Sequence, residues 1–399
     1  MLAIGKSMAI KSTQLRSEQA TLKGQLAQQA YIFNSDNEGD KYDNDIFNGL
    51  YYAIKEFGDP LVESLGGHEK GIRAVASSST GNLIFTSDTQ GKILKWSIQG
   101  VNRVADTIIQ ARPDHLIRSI DVTSTNSQLV AAGEFPKTDG LSYVEVFDVM
   151  SGTKKELNGF DGDVWNVMVA PDDQSFYALD GAGKSIKQSD FNTVNTVVNA
   201  SVRLNDIALS EDGKYMVGAG NNGKVYLFDI ANAYSESVIY DNRVKILNIA
   251  ISSDNEIGIG DENGIIKLFE LFGNGNTTRL VGHSSPIEDI KYSTDGRFIA
   301  SAARDKTVRL WNRTNLTAQP ITLDDHPDWV FTVAFSPDNS QVLAGTKEQI
   351  VRAWPTDIEV MADKICSKID GNMSQDEWDT YVAEDIDYEK TCKQYEEGE

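Results

Sequence analysis

Two stretches of this chain carry residue types that can hold phosphates. Ala178-Leu179-Asp180-Gly181-Ala182-Gly183-Lys184-Ser185 fits a phosphate-binding loop, with Ala in the first position. Gly258-Ile259-Gly260, followed by Gly264, approaches the glycine spacing of a dinucleotide turn. That chemistry needs a strand before the loop and a helix after it, so that backbone N–H groups and the helix dipole face the anion. Here a strand-like run, SIKQSDF, follows the first motif, and no βαβ unit surrounds the second. Gly-Lys also recurs in equivalent hairpins as Gly91-Lys92 and Gly223-Lys224. Both motifs therefore read as turns, and no cofactor is expected.

The other chemistry-bearing residues point the same way. His68, His115, His283 and His326 are the only histidines, and no Ser/His/Asp order or general-base pair stands out around them. The first residues of a catalytic list are therefore missing, and the chain is not expected to be an enzyme. Asp36, Glu38, Asp40, Asp43 and Asp45 gather acid in one loop, but their spacing misses the EF-hand pattern and reads as solvated. Cys366 and Cys392 bracket the C-terminal helices, with no CxxC or Cys/His set for zinc. They read as two free thiols in a cytoplasmic protein, or as one disulfide tying the tail to the preceding helix if the domain is exported.

The elements around these residues repeat. Short β-runs end at Trp96, Phe147, Ser189, Phe228, Phe269, Trp311 and Trp354, at steps of 51, 42, 39, 41, 42 and 43 residues. A period near forty is the mark of a repeat architecture. Each unit holds three β-runs and usually a fourth: in 287–325, IEDIKYS alternates, STDG turns, RFIASAA alternates, RDKT turns and TVRLW alternates. One such sheet cannot bury both faces alone, whereas seven arranged radially can, so the expected fold is an all-β, seven-bladed propeller.

Gly282-His283, Ser301, Asp305, Trp311 and Asn312 resemble the WD40 repeat, and the resemblance covers roughly residues 61–355. It implies a hydrogen-bonded tetrad of His283, Ser301, Asp305 and Trp311 inside the blade. The first repeat matches in part, through Gly67-His68, Thr86, Gln90 in the Asp place, and Trp96. Phe147, Phe228 and Phe269 replace Trp in middle repeats, and Ser189 does so in the third, which is expected to be the least stable blade. The last unit lacks an outer strand, and the run Leu61–Leu65 is expected to supply it from the other end of the ring, removing a free sheet edge.

Residues 1–60 and 356–399 read as helical extensions. Leu22, Leu26, Ala30 and Phe33, continuing from Leu15, keep helical spacing, as do Ile46, Phe47, Leu50, Tyr51 and Ile54 behind an Asp43 N-cap. Thr356 with Glu359 and Ser374 with Glu377 fit capping boxes. The acidic stretch after about residue 384 is expected to fray. LKGQLAQQAYIFN and GNMSQDEWDTYVAEDIDYEKTC resemble segments flanking WD40 rings in large bacterial proteins, including STAND-type signalling ATPases. That resemblance implies a bacterial protein with an effector domain or anchor upstream.

Composition narrows the partners. The net charge of −22 argues against nucleic acid and against docking on anionic membranes. No apolar run approaches the length of a bilayer span, and the N-terminus lacks a signal-peptide core; in a fragment these absences are silent about the parent. A cytoplasmic setting is expected, with a periplasmic one open if an anchor or export signal lies upstream.

Two surfaces read as contact sites. The long first step contains an insertion, Glu134–Ser142, whose Phe135 and Leu141 would face a partner from a loop joining second and third strands. Aligned first strands give one mixed column, Arg73, Arg118, Trp165, Asn205, Leu247, Glu288 and Phe331, beside a uniformly aliphatic one. Arg, Trp and Phe are interface anchors, so the column is expected to rim the channel mouth. The leading reading is a non-enzymatic interaction or sensing scaffold that binds a protein or peptide on the narrower propeller face. The alternatives are a hydrolase or lyase acting in the channel, and a structural subunit of an envelope complex.

Overall fold

A computed structural model describes residues 1–59, 64–78, 82–97, 105–112, 114–134, 144–160, 162–324 and 326–395. Six four-stranded antiparallel sheets and one three-stranded sheet follow one another as meanders, giving seven blades. Their first strands, which line a central channel, are Ile72–Ser77, Leu116–Val122, Val164–Val169, Leu204–Leu209, Ile246–Ile251, Ile287–Tyr292 and Val330–Phe335. The seven positions from Trp96 to Trp354 all fall in third strands and all are buried.

Alternation explains why the blades need one another. In the second strand of blade 2, Leu129 and Ala131 pack in a cluster with Phe85 and Ile93 of blade 1. The intervening Val130 and Ala132 pack with Val164 and Phe176 of blade 3. Blade 3 repeats this, sending Tyr177 and Leu179 toward Leu204 and Phe228 of blade 4. Each cluster thus belongs to a pair of blades, and a blade in isolation would leave both faces wet.

The turns account for the glycine motifs. Gly183 has φ 68° in the hairpin between second and third strands, where left-handed backbone favours glycine. A Cβ there would come within 2.1 Å of the Leu204 carbonyl of the next blade. Gly91, Gly223 and Gly264 occupy the same hairpin in their own blades. A strand, Ser185–Ser189, follows the phosphate-like motif, so no helix N-terminus is available to an anion.

Of the run expected to close the ring, Leu65 is seen to pair with the last blade. Leu65 and Val351 exchange N–H···O bonds of 2.8 and 2.9 Å, while Leu61–Glu63 lie outside the described residues. Blades 7 and 1 also meet through Ile72 N–H to the Glu348 carbonyl and Ser77 Oγ to the Phe335 carbonyl.

Two blades carry a full tetrad, not one. In blade 6, His283 Nδ1 lies 2.9 Å from Asp305 Oδ2, His283 Nε2 2.8 Å from Ser301 Oγ, and Trp311 Nε1 donates to Ser301 at 3.0 Å. In blade 1, His68 Nδ1 meets Asp88 Oδ2 at 3.0 Å, His68 Nε2 meets Thr86 at 2.7 Å, and Trp96 donates to Thr86 at 2.9 Å. The acid is therefore Asp88, two residues before Gln90, and the expectation for Gln90 is corrected. A carboxylate only accepts, so Nδ1 carries the imidazole proton in both blades and Nε2 is left to accept the hydroxyl. Blade 5 keeps a remnant, with Asn242 Nδ2 3.4 Å from Asp261. In blade 3, Ser189 has no bonded partner for its hydroxyl, while the Phe191 ring packs at a tilt against Phe176, with centroids 5.5 Å apart.

By contact density the chain divides into Leu65–Thr314 with Leu323–Arg352, and a second unit of Met1–Ser64, Asn315–Thr322 and Ala353–Glu399. The second unit holds five helices among its described residues: α1 (Leu2–Gln14), α2 (Ala20–Asp36), α3 (Asn44–Glu56), α4 (Ile358–Ile365) and α5 (Gln375–Tyr381). Asp43 caps α3 and the Ser374–Glu377 capping box closes on α5. The α4 cap is Asp357 rather than Thr356, and Leu15 ends α1 instead of beginning α2. Phe33 of α2 meets Trp378 of α5 edge-on at 6.1 Å.

The tail does not fray over 384–395. Trp378 Nε1 donates to the Ile386 carbonyl, Tyr388 to the Met373 carbonyl, and Thr391 Oγ1 to Gln29. Cys366 and Cys392 form a disulfide, correcting the free-thiol expectation. Asn372 brackets Cys392 by accepting its N–H and donating to its carbonyl.

Asp88→Ala is expected to cost about 1–3 kcal/mol, because it strips a buried imidazole N–H of its acceptor, whereas Gln90→Ala is expected to be near neutral. Denaturant unfolding of the two variants checks this, and equal losses would return the acid role to position 90. Cys366→Ser with Cys392→Ser is expected to cost about 3–4 kcal/mol by loop-closure entropy, given the 26-residue separation. It should appear as faster amide hydrogen exchange over 384–395; unchanged protection would mean that hydrogen bonds alone hold the tail.

Candidate functional site

The site begins with an irregularity that recurs in every blade. Between first and second strands the pairing skips one residue: Ile72 pairs with Asp88 and Ala74 with Ser87, leaving Arg73 without a partner. The same shift omits Arg118, Trp165, Asn205, Leu247, Glu288 and Phe331 in blades 2 to 7. A β-bulge of this kind bends the strand and re-aims the extra side chain. The mixed column of the sequence is thus a ring of seven bulged residues. All seven line one channel of about 750 Å³, at the end where the inner strands begin.

Cations and rings dominate this mouth. The Arg73 guanidinium lies 4.6 Å from the centre of the Phe331 ring. Arg118 and Arg203 both lie over Trp165, at 5.9 and 5.0 Å. Arg304 and Lys347 lie over Trp329, at 5.0 and 5.1 Å, and Trp329 is 40% exposed. Contacts of this type are worth about 0.5–2 kcal/mol and fix the planes of both groups. Arg118 pairs with Glu134, and Arg304 with Glu288. Asn205 donates to the Ile246 carbonyl of the next blade at 2.6 Å. Burial, with the nearby Arg118, lowers the pKa of Arg73, against the opposing pull of Glu288 and Glu134.

Deeper in the channel the chemistry changes. Asp121 accepts the Val169 N–H of the next blade at 2.7 Å. Asp206 accepts the Ile249 N–H at 3.0 Å, as well as the Asn166 amide. Asp289 accepts the Val333 N–H and the Thr332 hydroxyl, each at 3.0 Å. These three carboxylates, in blades 2, 4 and 6, join neighbouring inner strands across the gap between sheets. Desolvation inside the ring pushes Asp121 and Asp206 up to about 6. Lys291 stands among them, 3.6 Å from Asp289, and the carboxylates of Asp289, Asp206 and Asp121 raise its pKa. The sequence reading missed this set, although Asp206 and Asp289 directly follow the bulged residue of their strands and Asp121 lies three positions after Arg118.

The remaining candidates separate. Phe135 and Leu141 lie outside the described residues; the segment leaves blade 2 at Glu134, beside Arg118, and re-enters at Val144. His68 and His283 serve the tetrads, and His115 sits in the loop entering blade 2, its pKa lowered by burial and Arg112. His326 is buried before blade 7. Asp43, from the acidic loop, is spent on capping α3 and pairing with Lys6 at 2.6 Å. Among the described residues no group of three metal-ligating side chains occurs, and no helix is long and apolar enough to cross a membrane.

Comparison with known proteins agrees with this geometry. The WD40 family (WD domain, G-beta repeat) matches residues 59–97, 275–312 and 318–355, which include both complete tetrads. The chain carries WD40 repeats. It is 32% identical over 102 residues to the WD repeat and SOCS box-containing protein 1 of Homo sapiens, covering 25% of this chain and 24% of that protein. It is 31% identical over 144 residues to the uncharacterized WD repeat-containing protein sll1491 of Synechocystis sp., covering 34% and 39%. The chain thus spans well under half the length of these relatives. Its fold is similar to the WD40 β-propeller domain of Doa1, with a TM-score of 0.62 at 17% identity, over 75% of this chain and 97% of that one. Three WD40 repeats are thus matched in sequence, and the structure sets them in a seven-bladed propeller with four further blades.

The channel carboxylates yield a pH test. A pKa raised to about 6 means that the folded state holds the proton more tightly than the unfolded chain. The resulting stability is present at low pH and is lost as pH rises from about 4 to about 6. Asp206→Asn removes that titration, so melting temperatures of variant and parent should diverge in favour of the variant across this window. A constant difference would show that Asp206 titrates normally.

Proposed function

We propose that this chain is a non-enzymatic protein-interaction scaffold whose partner, a protein or peptide, docks over the mouth ringed by the seven bulged residues. One observation carries the reading. The backbone device is the same in every blade, yet the side chains it presents are Arg, Arg, Trp, Asn, Leu, Glu and Phe. A repeat that holds its geometry while varying the exposed chemistry at one position suits recognition. The shared WD40 repeats support the same class of role.

The hydrolase or lyase reading has less behind it. The channel acids are engaged by backbone N–H groups of the next blade, which suits a structural task. Within the scaffold reading, the mouth corresponds to the narrower face, and the module is the recognition half of a larger bacterial signalling or assembly system with an upstream effector. The flanking segments and their resemblance support that setting. The Cys366–Cys392 bond is the form expected in an oxidising compartment, so it supports the exported alternative over the cytoplasmic one.

A photo-crosslinking residue at Leu247 in the intact gene product, expressed in its host, is expected to capture a defined protein. The same residue at Met150, 89% exposed in a hairpin at the opposite end of blade 2, should not. Capture from Met150 alone would move the docking surface off the mouth.

A further inference from the structure

The chain as a whole is strongly acidic, at −22, yet its channel mouth is not. The described residues lining the channel include six cations, Arg73, Arg118, Arg203, Lys245, Lys291 and Arg304, against four acids, Asp121, Asp206, Glu288 and Asp289. The acids other than Glu288 lie deeper, on inter-blade hydrogen bonds. At the mouth, Arg118 and Arg304 are matched by Glu134 and Glu288. Among the described residues, no carboxylate pairs with Arg73, Arg203 or Lys245; the first two lie over Phe331 and Trp165.

Resting on the docking surface proposed above, we infer that the segment received at the mouth is an acidic, Asp/Glu-rich peptide. The three unmatched cations stand on blades 1, 4 and 5, on both sides of the opening. They suit negative charges spread along an extended chain crossing the mouth, not one compact phosphoryl group. The two arginines that do have partners each hold a side-chain carboxylate, so the mouth already accommodates that pairing. Ring contacts hold Arg73 and Arg203 in place before a ligand arrives, which lowers the ordering cost of binding. Leu247 and the ring of Trp165 offer apolar contact between the charges. Nucleic acid fits poorly, because its dense phosphates would meet an acidic molecule around a small cationic patch.

The test is fluorescence anisotropy with the full chain and a labelled Asp/Glu-rich peptide, beside a basic peptide, a phosphoserine peptide of equal charge and a single-stranded oligonucleotide. The acidic peptide is expected to bind, and to weaken as salt rises. Arg203→Glu with Lys245→Glu should weaken it at least about tenfold while the chain stays folded with a cooperative thermal transition, and Arg203→Lys with Lys245→Arg should retain it. Equal binding of the basic peptide, or acidic binding untouched by the reversal, would overturn the inference. So would binding of only the phosphoserine peptide or the oligonucleotide. Should Leu247 still crosslink a protein while the acidic peptide fails, the docking surface stands and the acidic assignment falls.

Discussion

A sheet with two apolar faces is stable in water only when each face has a neighbour. Every blade here is such a sheet, because alternate residues of one strand serve different clusters: Leu129 and Ala131 on one side, Val130 and Ala132 on the other. An open stack would leave two end faces wet, and closing the ring removes both. The Leu65–Val351 pairing is therefore decisive beyond its two hydrogen bonds, since it joins the start of the ring to its last sheet. The tetrads stand on either side of that junction, in blades 1 and 6. The inner-strand carboxylates perform the same task near the axis, where the strands converge and the sheets leave little room for apolar side chains.

Closure also creates the site. Seven first strands brought together make a channel whether or not anything binds in it. The bulge at the start of each strand turns the mouth of that channel into a ring of seven side chains of mixed chemistry. The bulged residue has no register partner in the ladder, so its side chain is placed by contacts at the mouth, such as Asn205 on the Ile246 carbonyl and Arg73 over Phe331. Its neighbours two positions on, Val75, Ile120, Val167, Ile207, Ile249, Ile290 and Val333, belong to the core and stay aliphatic. Channel mouth and core thus draw on neighbouring positions of one strand.

Much of this was legible in the sequence, and the exceptions share a cause. Period-two alternation and a forty-residue spacing are local signals, and they placed the third strands from Trp96 to Trp354 correctly. The mixed column was visible too, but not its reason, since a register shift is a property of two strands and cannot be read from one. Asp88 escaped for a similar reason. Counting from Trp96 selects Gln90, but the side chain that reaches His68 comes from the end of the second strand. The tail reads as an acidic stretch that frays until Asn372, Tyr388 and Thr391 are seen to hold it, contacts made by residues far apart in sequence. Thr356 lost the cap to Asp357 because adjacent polar residues compete for one role that geometry settles.

The electrostatics follow from the same separation of scales. A net charge of −22 sets the far field and keeps the molecule from polyanions at low salt. At physiological ionic strength, fields between exposed charges fade within about 8 Å, so a ligand at the mouth meets the local set rather than the total. That set combines guanidinium groups held over Trp165 and Phe331 with low-dielectric walls of packed blades, which strengthen short-range attraction. Deeper in, the carboxylates of Asp121, Asp206 and Asp289 reverse the sign, leaving Lys291 as their only cation in the channel's interior among the described residues. An anionic segment is drawn to the rim and repelled from the depth, so the charge pattern itself favours binding across the opening over threading through it.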